Sequence, residues 1–417
     1  MLKASLQILK QKEFTRFLTA RFFITLAIQM QMSTIYLQIY YEYYRGNELA
    51  LGMIGLAEIV PFIIVSFFSG HLADTISRRK ILLFGCLALF IGSLFLWAFS
   101  SHSFTYLRSF GAAALFSMVF LFGVIRSFLS AATQPFMSQL IPRNLYAKAT
   151  TWNSTVWHTG AILGPVVAGL LYGYNNGKHA DTCYLINCIL FLSSILCFLL
   201  IKKKAIPIQE KKETLIESMG SGLKFVYKNN MILSALSLDM FAVLFGGAVA
   251  IIPAFTDKVL HLGPEAYGLL RTAPAIGAVL TSFFLIFKQP GKRAGFDLLW
   301  TVAAFGVCTI LFALSTNYWL AFAMLLLTGA FDNVSVVVRH TILQLMTPDH
   351  MRGRVSAVNN IFVGSSNEIG AFESGAMAKL IGLVPSVIFG GVMTIAVVLG
   401  VNKLNPELKK LDLTTES

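Results

Sequence analysis

Apolar runs of about 20 residues, each long enough to cross a bilayer, alternate with short polar breaks along the whole of this chain. They fall near 22–41, 51–70, 82–99, 111–134, 150–173, 183–201, 231–254, 266–287, 297–315, 318–340, 355–380 and 383–401. Runs of this length and spacing predict an all-α membrane protein of twelve transmembrane helices. One long polar break, "IKKKAIPIQEKKETLIESMGSGLKFVYKNN", separates the sixth run from the seventh and divides the chain nearly in half. The predicted organisation is an N-terminal six-helix bundle (1–201), a cytoplasmic linker (202–230) and a C-terminal six-helix bundle with a short cytoplasmic tail (231–417). Within the linker Leu215, Met219, Leu223 and Val226 recur at helical spacing. That spacing predicts a short helix, part of it flat on the inner leaflet.

Related halves would match at a steady offset. Gly55, Leu56 and Pro61 of "GLAEIVP" align with Gly268, Leu269 and Pro274 of "GLLRTAP". At a shift of 206, Pro142 matches Pro348, Asn153 matches Asn359, and Gly164 matches Gly370. The two bundles are therefore expected to be pseudo-symmetric.

Only 13% of the 417 residues are charged, 56% are hydrophobic and the mean hydropathy is +0.70. A soluble domain carries about a quarter charged residues, so a soluble fold is excluded. The net charge of +13 could suggest nucleic acid, but its distribution does not. Of 33 Lys and Arg, 25 lie in the two termini and the even-to-odd loops. This positive-inside bias places both termini in the cytoplasm and points to contact with anionic lipids rather than a nucleic-acid partner. The N-terminus lacks the apolar core and small-residue cleavage site of a signal peptide. Five cysteines show no metal-ligand spacing, and no nucleophile–base pattern or nucleotide-binding "GxxxxGK[ST]" occurs. No enzyme activity, catalytic residue, metal or cofactor is expected.

The informative residues are charges inside the spans. A charge at the middle of a spanning helix costs about 2.5–3.5 kcal/mol on insertion scales, so each should face a partner, a cavity or the bundle interior. The repeat sets Glu58 against Arg271, Arg126 against Asp332 and Arg21 against Asp239, so corresponding places carry opposite signs. Glu58, Arg126, Asp239, Arg271 and Arg21 are the candidates for ion coupling and charge pairing. A carboxylate that alternates between a cation and an apolar setting can take up and release a proton. Gln29 in the first span, Asp332 and Asn333 in the tenth, and Asn367, Glu368 and Glu373 in the eleventh suggest a wet, polar central cavity. Glu368 and Glu373 lie about 140° apart round a helix, so one should face the cavity and the other a neighbouring helix. His158 reads as a packed residue more readily than as a proton relay.

Several loops and helices carry a resemblance. "GHLADTISRRK" after the second span resembles the signature of the major facilitator superfamily at Gly70, Asp74, Arg78 and Arg79, with Thr75 and Ser77 departing from it. The resemblance implies a cytoplasmic latch at these residues. Arg126 in "LFGVIRSFLSAATQPF" fits the superfamily's intramembrane arginine, implicated in proton coupling. "GAILGPVVAG" resembles the antiporter motif of exporters at Gly160, Gly164, Pro165 and Gly169, with Ala168 in place of a glycine. Small residues and a proline allow close helix approach and bending, as a hinge against the eighth helix needs. "LDMFAVLFGGAVAIIPAF", "GLLRTAPAIGA" and "MRGRVSAVNNIFVGSSNEIGAFESG" are similar to siderophore exporters and related drug efflux proteins of that superfamily.

The expected function is a proton-coupled exporter of a small amphipathic molecule, such as a catecholate siderophore or a drug, working by alternating access as a monomer in a bacterial inner membrane. An importer or lipid transporter of the same fold stays open, as does a receptor that kept the fold without transporting.

Overall fold

The computed structural model describes residues 7–101, 105–142, 145–174, 179–202, 215–287, 293–348 and 351–412. Twelve long helices dominate them: α1 (Lys12–Gln38), α2 (Glu48–Thr75), α3 (Arg78–Ser100), α4 (Ala112–Leu140), α5 (Tyr146–Gly173), α6 (Ala180–Leu199), α7 (Asn230–Gly246), α8 (Pro264–Phe287), α9 (Ala294–Leu314), α10 (Tyr318–Met346), α11 (Arg352–Ile381) and α12 (Leu383–Leu404). Eleven are long and apolar enough to cross a membrane. The remaining one, α11, is long enough but too polar, because it carries Asn359, Asn367, Glu368 and Glu373.

The ends and interruptions follow from local chemistry. Asn229 caps α7 by accepting from the amides of Met231 and Ile232 at 3.1 and 3.2 Å. Asn317 does the same for α10 at Trp319 and Leu320. Such caps satisfy donors that a helix start leaves without partners. Helix α1 runs on through one wider π turn, Ile39–Tyr43. Helix α7 stops at Gly246, passes through a 3₁₀ turn (Ala248–Ile251) and resumes as Ile252–Lys258, with Pro253 in its first turn. Proline tolerates that first-turn position because it needs no amide hydrogen there. Gly382 joins α11 to α12 at φ 97°, a backbone conformation that side chains disfavour.

The described chain forms two compact units. The first comprises Met1–Arg45, Ala57–Lys211 and Leu262–Thr272; the second comprises Gly46–Leu56, Lys212–His261 and Ala273–Ser417. The first turns of α2 thus belong to the second unit, and the first turns of α8 to the first. Large apolar side chains such as Phe84, Phe283 and Trp300 are well exposed, while Gln31, Asp239 and Arg339 are buried. Apolar outside and polar inside is the arrangement a hydrocarbon solvent imposes.

The linker helix, Leu215–Lys228, is docked rather than lying alone on a leaflet. Val226 is fully buried with Ile232, Leu236, Val355 and Val358. Arg354 of α11 donates to Ser221 at 3.2 Å. Leu223 and Tyr227 are exposed, and the side chains of Leu215 and Met219 lie outside the described set.

Candidate functional site

In the first unit, α4 crosses α2 so closely that Gly123 has no room for a Cβ beside the carbonyl of Glu58. That crossing brings Arg126, one turn further along α4, onto the Glu58 carboxylate as an ion pair. The side chain of Glu58 is 5% exposed and that of Arg126 is 37%. The carboxylate is therefore shut away while the guanidinium reaches an open side. Arg126 also borders a hollow the size of one water, shared with Gln31, Met32 and Phe122. Gln31 accepts from Ser93 at 3.3 Å, and its amide nitrogen is buried with no hydrogen bond among the described residues.

The second unit holds a comparable pair on α7 and α10. Asp239 is ion-paired with Arg339, and both are almost fully buried. Arg339 was not singled out from the sequence. Its signal was present in "VVVRHTIL", a cation inside an apolar run, which is the same mark that picked out Arg126. Ser335, one turn before Arg339, lines a water-sized hollow with Asp239 and Asp332. A further pair that sequence reading passed over joins Lys258 to Glu48, with Lys258 also donating to the carbonyl of Gly46 at 3.3 Å.

Other predicted charges have partners of different kinds. Arg21 donates to Asn153 on α5 at 3.4 Å. Arg271 sits over the ring of Tyr36 at 5.1 Å, a cation–π contact. Each therefore meets a polar or aromatic neighbour, whereas Glu58 and Asp239 meet cations in their own units.

The interruption of α7 opens a cavity of about 220 Å³ in the second unit, bordered by Asp332 and Asn367. Asn333 points elsewhere, donating to Ser282 on α8 at 3.0 Å. Glu368 lies beside Gly55 of α2, and Glu373 is half-buried on α11. Gln29 of α1 packs against Gly164 of α5. Of the six residues read as cavity-lining, Asp332 and Asn367 border this cavity.

The turn after α2 has a visible structural task. Arg79 donates to the carbonyls of Phe198 and Leu199 at 2.9 and 2.8 Å, capping the C-terminus of α6, where a cation suits the helix dipole. Arg78 reaches the carbonyl of Pro135 at 3.5 Å. Gly70 lies in the last turns of α2. Asp74 lies there too, and its side chain is outside the described residues.

Along α5 the motif glycines mark close approaches. Gly160 lies against Thr25 and Gly164 against Gln29, both on α1, while Pro165 sits inside α5 with its carbonyl against Gly268. Gly169 meets α8 backbone to backbone: a Cβ there would lie 2.7 Å from the Pro264 carbonyl and 2.8 Å from Gly268 Cα. In the second unit, Gly375 of α11 meets Gly52 of α2 in the same way, with a built Cβ 2.7 Å from the Glu48 carbonyl and 2.8 Å from Gly52 Cα. Gly169→Val is expected to cost about 1–3 kcal/mol, the usual cost of overpacking. Thermal unfolding of the purified protein in detergent checks it.

A family described as transmembrane secretion effector matches residues 41–417. The staphyloferrin A transporter of Staphylococcus aureus (strain NCTC 8325 / PS 47) is 23% identical over 372 residues, 87% of this chain and 89% of its own length. Multidrug resistance protein MdtG of Salmonella typhimurium is 25% identical over 341 residues, 79% of each chain. Among solved structures, a D-xylose–proton symporter superposes with a TM-score of 0.72 over 97% of this chain and 99% of its own, at 15% identity. A bacterial homologue of the iron transporter ferroportin, in an inward-facing state, gives 0.69 over 96% and 99%, at 16% identity. At those identities the likeness shows the fold. The family match covers most of the chain, and the chain is accordingly a member of the transmembrane secretion effector family of the major facilitator superfamily, an integral membrane transporter of small molecules rather than an enzyme.

Proposed function

We propose that this transporter exports a small amphipathic molecule, a siderophore or a drug, in exchange for protons. The observation that carries the reading is the Glu58–Arg126 pair, whose carboxylate is buried while its arginine is part-exposed. Protonation of Glu58 replaces an ion pair by a neutral acid beside a free guanidinium, and an arginine cannot relieve its own charge by losing a proton. Arg126, already the more open partner, is then no longer held against α2, so proton binding and helix position are linked. A ligand shifts a conformational equilibrium by as much as its affinities for the two states differ, and here the proton is such a ligand.

The remaining parts of the reading follow the family. Two six-helix halves, 1–201 and 231–417, rock about a central site, with the linker 202–230 and both termini in the cytoplasm of a bacterial cell. The positive loops meet anionic inner-membrane lipid, and a single chain suffices as the working unit. The printed names of the relatives, a staphyloferrin A transporter and a multidrug resistance protein, support siderophores and drugs as the cargo classes. The motif at Gly160, Gly164, Pro165 and Gly169 supports export, because it resembles that of exporters.

Uptake into everted vesicles tests the direction and the drive together. A catechol siderophore and a macrolide are supplied, with and without an inward-acid proton gradient. Gradient-dependent accumulation of either one is expected. Accumulation only in vesicles oriented like the cell makes the protein an importer, and absence of any substrate-dependent flux makes it a receptor that kept the fold.

A further inference from the structure

We infer that the cavity at the interruption of α7 binds an ammonium group, either a small organic cation or the amine-bearing part of a larger cargo. The inference rests on reading the chain as a transporter of amphipathic small molecules, and it names the chemistry of one part of the binding site. The cavity, about 220 Å³, is smaller than the roughly 300–1,000 Å³ that hold a drug-sized molecule, so it takes a compact ligand or one end of a longer one. Its walls include Phe305, Phe312 and Leu325, which suit an apolar body.

The polar groups on those walls are mostly acceptors. Thr309 and Thr328 border the cavity, but each has spent its only hydroxyl proton on a backbone carbonyl: Thr309 on Phe305 at 2.9 Å and Thr328 on Leu325 at 2.7 Å. Only lone pairs are left to face the cavity. Asn367 spends one of its two N–H groups on Val363 at 2.8 Å. The Asp332 carboxylate has no hydrogen bond or ion pair among the described residues. Its neighbour Asp239 is ion-paired with Arg339.

A second, independent feature points the same way. The 17-residue helix α7 ends at Gly246, and Gly246 and Gly247 both border the cavity. The carbonyl end of a helix carries partial negative charge, and of the groups here the Gly247 carbonyl already accepts from Ser374 at 3.3 Å. A ligand that fills this space must therefore bring donors and positive charge, and an ammonium supplies three N–H groups on one compact cation. An anionic or donor-poor ligand would leave these acceptors unpaired, which is costly in a buried site.

Isothermal titration of the purified full-length protein in detergent, with no gradient, tests this with three probes of one body: 2-phenylethylammonium, 2-phenylethanol and phenylacetate. The ammonium is expected to bind most tightly. Asp332→Asn should weaken it by about tenfold to a hundredfold, the range of a hydrogen bond to a charged group, and leave the alcohol unchanged. Thr309→Phe, which fills the cavity, should abolish binding of both. Equal binding of ammonium and alcohol by the wild type overturns the inference, as does unchanged ammonium binding by Asp332→Asn or by Thr309→Phe. So does absence of saturable ammonium binding to the folded wild type. Because no flux is measured, failure of the proton-exchange reading leaves these outcomes distinct.

Discussion

Glu58→Gln is expected to abolish concentrative transport while leaving downhill exchange of substrate intact. Gln has the shape of Glu, and its carbonyl oxygen can still accept from Arg126, so the crossing of α2 and α4 survives. What it lacks is a site that gains and loses a proton. With that linkage gone, a gradient of protons has no differential effect on the two conformations, and the ratio of substrate across the membrane falls to about one. Exchange of labelled for unlabelled substrate at zero gradient should persist, because it needs only the cavity and the conformational cycle. Vesicle assays read both quantities from one preparation. Loss of exchange together with concentrative transport would mean that Glu58 serves packing or substrate contact. Full concentrative transport in the variant would remove Glu58 from coupling and move attention to Asp239 and to the acids of α11.

Asp239→Asn is expected to produce the largest loss of stability among the charged-pair variants, about 3–5 kcal/mol, the usual result of stripping one partner from a buried pair. Its partner Arg339 is 1% exposed and stays charged whatever its surroundings. The reverse substitution, Arg339→Met, should cost less. A carboxylate left alone in an apolar setting can bind a proton and become neutral, and Met fills much of the space. The double variant Asp239→Asn/Arg339→Met removes both charges and should recover most of the loss, since replacing a buried pair by uncharged groups of similar volume is often near neutral. Thermal unfolding in detergent of the wild type and the three variants forms a double-mutant cycle. Equal small losses in both single variants would show that water reaches this pair and that its geometry contributes little.

How far the sequence carries the fold depends on what kind of signal each feature leaves. Spanning helices leave a long one, since every backbone group in hydrocarbon must be paired internally and about 20 apolar residues must run together. Even α11, too polar to qualify by hydropathy alone, stands out as a run between α10 and α12. The break in α7 was not foreseen, since 231–254 reads as one apolar run; its marks are Gly246, Gly247 and Pro253 in "FGGAVAIIPAF", and the chain leaves and re-enters the α-helix between them.

Partnerships left weaker marks. The repeat set Asp239 against Arg21, yet the partner of Asp239 is Arg339, one hundred residues further on. An internal alignment compares equivalent places in two halves. It carries no information about which faces of α7 and α10 meet. Glu58 and Arg126 were both singled out, but only the close crossing at Gly123 brings them together. The acceptor-rich lining of the α7 cavity was also illegible. It depends on where the hydroxyl protons of Thr309 and Thr328 go, and that follows from side-chain geometry on two different helices. Arg79, read as part of a latch, caps α6 in the structure, because a cation just beyond α2 reaches a helix end 120 residues away.

The measurement that bears most directly on proton exchange is the movement of protons itself. Purified protein in sealed liposomes, loaded with a pH-sensitive dye and with no imposed pH gradient, is given an outward substrate gradient. Wild type should drive protons opposite to the substrate, and Glu58→Gln should carry substrate with no proton signal. Substrate flux through the wild type with no accompanying proton movement would contradict the account.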